Sequence, residues 1–269
     1  SLHCENPEII RVFIQRVKKA GLTGLQAYSE ARPPLSERLS IQEAGVLADE
    51  TSCPVNLLHL SSRKAIEAGV DVRTRHPEMD ITLETTLHHL ALTWATAGDL
   101  RSKVNPPIRT QEDQDALWRA LIKGQIDTVV SDHACCREEN KKGDTWSALP
   151  GFGGTSLLYP VLLSEGVHKR GLPLERVVDL ISTTPARRFG LYPKKGAIAV
   201  GSDADFALID LNKEQVVTVE NSHSAQDHNP FAGKSLKGWP VATILRGRLA
   251  FKDGAPVGER RGSFVARPV

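Results

Sequence analysis

Apolar residues recur at Ile9, Ile10, Phe13, Ile14 and Val17, the spacing of one helical face, and predict an amphipathic helix from Glu8 to Ala20 that Gly21 stops. The stretch from Ala31 to Leu39, with Pro33-Pro34, reads as an exposed loop, and Ile41 to Thr51 as a second helix. The pattern then changes period. Short apolar, β-branched runs ending near Leu60, at Ile81–Thr85 and at Asp127–Ser131 read as buried strands. Between them lie helical segments at Arg63–Ala68 and Thr110–Leu121, while the double proline of Asn105-Pro106-Pro107 excludes helix just before Thr110. Leu87-His88-His89-Leu90 reads as an exit loop. Strand alternating with helix is the signature of an α/β fold with a parallel sheet and right-handed crossovers. Helices follow at about 155–167, 174–182 and 185–189. After Gly190 the texture turns to short alternating strands at 204–209, 215–219, 241–245 and 248–251, which suit a small β-segment.

The strand ends carry the chemistry. Val129-Val130-Ser131-Asp132-His133 delivers an Asp-His pair to the point where a buried strand ends, which is where a parallel α/β barrel places catalytic groups. Leu2-His3-Cys4-Glu5-Asn6 and Asn56-Leu57-Leu58-His59-Leu60 repeat the strand-then-histidine arrangement. Taken singly, a histidine after an apolar run is an ordinary hydrogen-bonded residue. Taken together, His3, His59 and Asp132 would each need a separate partner, whereas a shared divalent cation explains all three.

Composition narrows the partner. The 269 residues are 40% hydrophobic and 25% charged, enough for one barrel-sized domain or two average ones. Lys plus Arg number 34 against 32 acidic residues, a balance that points away from nucleic acid and membrane surfaces toward a small molecule. No apolar run approaches the roughly 18 residues of a membrane span. Cys4, Cys53, Cys135 and Cys136 form no spaced framework and read as reduced thiols of a cytoplasmic protein. The charged stretch 137–146 reads as an active-site loop. The only methionine is Met79 and the chain opens directly at a strand end, so the sequence reads as the C-terminal part of something longer.

These segments resemble the cyclic amidohydrolases of the amidohydrolase superfamily, the group of dihydroorotases, allantoinases and hydantoinases (dihydropyrimidinases). The resemblance runs from His3 to about Gly254 and includes Glu84-Thr85-Thr86-Leu87-His88-His89-Leu90, Asn105-Pro106-Pro107-Ile108-Arg109, Pro150-Gly151-Phe152-Gly153-Gly154 and Lys195-Gly196-Ala197-Ile198-Ala199-Val200-Gly201. It implies that residues 1–195 are the second half of a metal-dependent (β/α)8 TIM barrel, strands five to eight with their helices, and that 196–269 is a β-sandwich segment and tail. By the same resemblance His3 and His59 are ligands of one metal and Asp132 is the catalytic aspartate and ligand of the other. Two zinc ions would be bridged by a carboxylated lysine. That lysine and the first-strand His-X-His pair have no counterpart here, so the resemblance implies an N-terminal truncation and an inactive fragment. Asn105 and Gly153 match positions whose backbone contacts the cyclic imide, and His133 supports the site by hydrogen bonding or contacts substrate. A homo-oligomer is implied.

The chemistry fits these residue types. A metal polarises an amide carbonyl and lowers the pKa of water to roughly 7, and a neighbouring carboxylate can shuttle the proton to the departing nitrogen. The first expectation for the substrate is dihydroorotate, with hydantoin, dihydropyrimidine or allantoin as alternatives. Against dihydroorotate, Cys135 and Cys136 stand where dihydroorotases commonly read Pro-His, whose histidine helps bind the substrate carboxylate. A non-catalytic scaffold subunit is the remaining alternative.

Overall fold

The structure is a computed structural model and describes residues 1–267. Two compact units emerge, one formed by Ser1–Thr155 together with Thr218–Ala232, the other by Ser156–Val217 and the chain from Gly233 on.

In the first unit α1 (Pro7–Lys19) begins where Asn6 accepts hydrogen bonds from the Glu8 and Ile9 amides, and it buries Ile10 and Val17. Next come α2 (Gly24–Ala31) and α3 (Pro34–Thr51). The loop expected over 31–39 is therefore corrected. Pro34 lies at the start of α3, where its missing N–H costs nothing and its fixed φ suits a helix.

Strand β1 (Val55–Leu57), helix α4 (Arg63–Arg75), strand β2 (Ile81–Thr86), the short helix α5 (Leu87–Ala91), helix α6 (Gln111–Ile122) and strand β3 (Thr128–Val130) complete the alternation. The sheet is parallel in the order β1-β2-β3, with Val55 opposite Ile81 and Glu84 opposite Thr128. Leu2 forms a parallel bridge to Leu57, its amide donating to the Asn56 carbonyl at 2.9 Å and its carbonyl accepting from Leu58 at 3.1 Å. The chain start thus lies beside β1, opposite β2. All of β1 and β2 is buried, as expected of strands covered by crossover helices. Helix α4 approaches the sheet closely at Gly69, where a Cβ would come within 2.8 Å of Leu83 Cδ2. The described residues hold parallel strands without a closed barrel.

The second unit starts with helical turns: α7 (Leu158–Val161) widens into π turns to His168, and α8 (Leu174–Val178) runs through further π turns into α9 (Thr184–Arg188). Its antiparallel sheet follows the order β4 (Phe206–Val216), β5 (Ser235–Leu245), β6 (Arg248–Lys252), β7 (Ala255–Pro256). The two strands expected over 204–219 are one long strand, β4, interrupted by irregularities after Leu208 and after Asp210. Helix packs on sheet at Gly238, whose φ of 97° only glycine adopts comfortably and whose Cβ would lie 2.7 Å from Leu163 Cβ. Among the described residues no helix is long and apolar enough to cross a membrane.

Candidate metal centre

The Leu2–Leu57 bridge sets His3 beside His59. His3 Nδ1 and His59 Nε2 face one another at 3.0 Å, with the rings edge-on at 77°. Two nitrogens at that separation can share one cation through bonds of about 2.0–2.1 Å. His59 is buried and His3 exposed. Burial, and then the adjacent His3, lower the pKa of His59 against the opposing pull of Asp132 and Glu5, which keeps a lone pair on its ring at neutral pH.

His59 and Asp132 occupy matching places, each two residues beyond its strand, and each has left-handed backbone, φ 40° and φ 45°. Non-glycine residues pay on the order of 1–3 kcal/mol for such a conformation, and it persists where surrounding structure over-determines it. The Asp132 carboxylate is exposed, and its charge acts on both His59 and Glu84. Glu84 lies buried on β2, accepting hydrogen bonds from Asn56 of β1 and Thr128 of β3, each at 3.3 Å. Burial raises its pKa above the ordinary carboxylate range.

Behind the histidines stands a charged network that sequence reasoning missed in large part. Glu5 Oε2 accepts from His3 Nε2 at 2.9 Å, and both Glu5 oxygens accept from Arg32. Deeper, Glu37 accepts from the Ser61 amide, the Ser61 and Ser62 hydroxyls and Arg109 Nη2, all within 3.0 Å. Arg109 also donates to Ser61 Oγ and to the Arg32 carbonyl. Burial pushes the Glu37 carboxyl up while Arg109 and the Ser61 donors pull it down. One signal for Glu37 was present: it falls four residues before Ile41 on the stripe Ile41, Ala44, Ala48 that α3 buries, an apolar position occupied by an acid.

The remaining expected site residues take other partners. The Asn105 side chain accepts from the Tyr28 hydroxyl at 2.6 Å. The Gly153 amide donates to Gln226 Oε1 at 2.6 Å. His133 Nδ1 accepts from the Gly154 amide at 3.2 Å, which places the proton of the neutral ring on Nε2. His88 and His89 lie in helix α5 instead of a loop and are fully enclosed. Burial holds His88 down to about 3, so it stays neutral, and His89 bridges Thr86 and the Pro106 carbonyl. The loop after Asp132 is pinned from beneath, Lys103 Nζ donating to the Ala148 carbonyl at 2.5 Å and Lys141 Nζ to the Lys103 carbonyl at 3.1 Å. Burial draws Lys141 down to about 8.

Among the described residues the group of three such side chains whose donor atoms all lie within 4.8 Å of one another is Asp49, His76 and Glu78, at the surface; His3 and His59 meet as a pair, and Asp132 does not close on them as a third donor. Asp49 lies in the last turn of α3 before β1, and His76 and Glu78 precede β2, so this group lies at the strand starts while His59 and Asp132 follow the strand ends.

The profile of the Amidohydrolase family matches residues 3–250. The chain belongs to the amidohydrolase family. It is 37% identical to an allantoinase of Rubrobacter xylanophilus over 98% of its own length and 34% identical to an L-hydantoinase of Paenarthrobacter aurescens over 99%. It spans 58% and 59% of those two proteins. Its fold superposes on a D-hydantoinase (dihydropyrimidinase) from Thermus sp. with a TM-score of 0.89 at 32% identity, covering 96% of this chain and 57% of that one. An L-hydantoinase (dihydropyrimidinase) from Arthrobacter aurescens gives 0.90 at 34%, covering 96% and 58%. The amidohydrolase chain is thus α/β, with the parallel strands and β-rich C-terminal part expected of half a barrel and its sandwich segment.

Proposed function

We propose that this amidohydrolase chain supplies half of the active site of a metal-dependent enzyme that opens a cyclic amide, and that its ring is a hydantoin, allantoin or dihydropyrimidine instead of dihydroorotate. The observation that carries the reading is the pair of ring nitrogens of His3 and His59 facing one another at 3.0 Å, with Asp132 past the end of β3, two strands along from β1, its charge acting on His59. The donor set fits a divalent cation: two imidazoles, one of them kept neutral by burial, with a carboxylate nearby. Such a cation polarises the amide carbonyl and lowers the pKa of water to roughly 7. His3 and His59 would hold it without cancelling its charge.

Asp132 does the proton work. As water oxygen adds to the carbonyl carbon, an Asp132 carboxylate oxygen takes the water's proton; when the C–N bond breaks, Asp132 returns that proton to the departing ring nitrogen. A scaffold protein would gain nothing from holding His59 and Asp132 in left-handed backbone.

Two observations favour an uncharged ring. The named relatives are allantoinases and hydantoinases. Cys135 and Cys136 also offer no strong donor to a substrate carboxylate, a loss worth on the order of 1.5–3 kcal/mol. Allantoin, hydantoin, dihydrouracil and dihydroorotate should therefore be compared in the complete gene product that contains this chain. The expected kcat/KM for dihydroorotate is about 10–100-fold below that of the best uncharged ring. Preference for dihydroorotate would overturn the assignment.

A further inference from the structure

His3 is gripped on both sides. One ring nitrogen, Nδ1, faces His59, and the other, Nε2, meets Glu5 Oε2 at 2.9 Å. Glu5 is itself immobilised: its side chain is 1% exposed, and Arg32 donates to it through Nε at 3.1 Å and Nη2 at 2.5 Å. A carboxylate paired with a guanidinium offers only lone pairs, so the imidazole nitrogen that meets it carries the proton. In a neutral ring the lone pair then falls on Nδ1, the atom directed at His59.

We infer that Glu5, backed by Arg32, is a positioning residue that sets the tautomer and orientation of His3 for metal binding. This role rests on the reading of His3 and His59 as ligands. Carboxylates placed behind a ligand histidine fix its ring and raise its basicity, and removing them typically weakens metal affinity about 10–100-fold. A clamp that merely tied the chain start to Arg32 would change stability and leave both tautomer and affinity alone.

The test uses the complete gene product. Imidazole 15N shifts of the metal-free wild type should show His3 protonated at Nε2; protonation at Nδ1 overturns the inference without any variant having to fold. Chelator competition should then show a zinc Kd raised about 10–100-fold by Glu5→Gln, and a smaller rise for Arg32→Lys, which keeps a cation on the carboxylate. His59→Ala separates the two claims. If it abolishes zinc binding while Glu5→Gln binds like wild type, the Glu5 role is overturned and the ligand reading stands. If His59→Ala binds zinc as wild type does, the ligand reading falls and the Glu5 role with it.

Discussion

Replacing Asp132 by Asn is expected to lower kcat for cyclic-amide hydrolysis by about 10²–10⁴-fold, the usual yield of a positioned acid–base group. The substitution is conservative in every respect but one. Asn is isosteric with Asp and shares its tolerance of left-handed backbone, so the φ of 45° is kept. The side chain is exposed, so stability should move by no more than about 0.5 kcal/mol. What is lost is the carboxylate that takes a proton from water and returns it to nitrogen. Steady-state kinetics at saturating metal, with a urea melt on the same samples, separate the two effects. A variant that retained turnover within about threefold of wild type would remove Asp132 from the chemistry.

The second large effect concerns stability. Arg109 and Glu37 are 3% and 1% exposed and meet at 3.0 Å, and Arg109 also ties Ser61, two residues past His59, to the Arg32 carbonyl. Arg109→Met leaves Glu37 enclosed with only the serine donors, and breaking a buried pair from one side costs about 3–5 kcal/mol. Replacing both partners by apolar groups removes the stranded charge as well, so Arg109→Met with Glu37→Met should recover much of that loss. Chemical denaturation of the single and double variants measures the difference. A single substitution costing under about 1 kcal/mol would show that the pair does not hold the strand end.

What the sequence disclosed and what it hid follow from the range of the interactions. Helix α1 was legible because Ile9, Ile10, Phe13 and Val17 repeat at helical spacing, and β2 and β3 because β-branched residues cluster in them. His59 and Asp132 stood out for the same local reason, each lying just past such an apolar run, and His3 because Leu2-His3 has the look of a strand end. Helix α2 escaped notice: it is eight residues long, has no side-chain cap, and half of what it buries is small, Ala27 and Ala31 beside Leu25 and Tyr28. The start of α3 was obscured because Pro33-Pro34 reads as a break when it is a beginning. The Glu5–Arg32 and Glu37–Arg109 pairs join residues 27 and 72 positions apart, and no periodicity reports contacts of that kind. Gly153 illustrates the same limit. Its amide is taken by Gln226, from a segment whose chain neighbours on both sides belong to the other unit.

The central claim is that His3 and His59 share a divalent cation, and the most direct measurement is the anomalous scattering of zinc in crystals of the complete gene product. The account predicts a peak bonded by His3 Nδ1 and His59 Nε2. Zinc found only at the surface group of Asp49, His76 and Glu78, with the two histidines still facing one another without it, would contradict it.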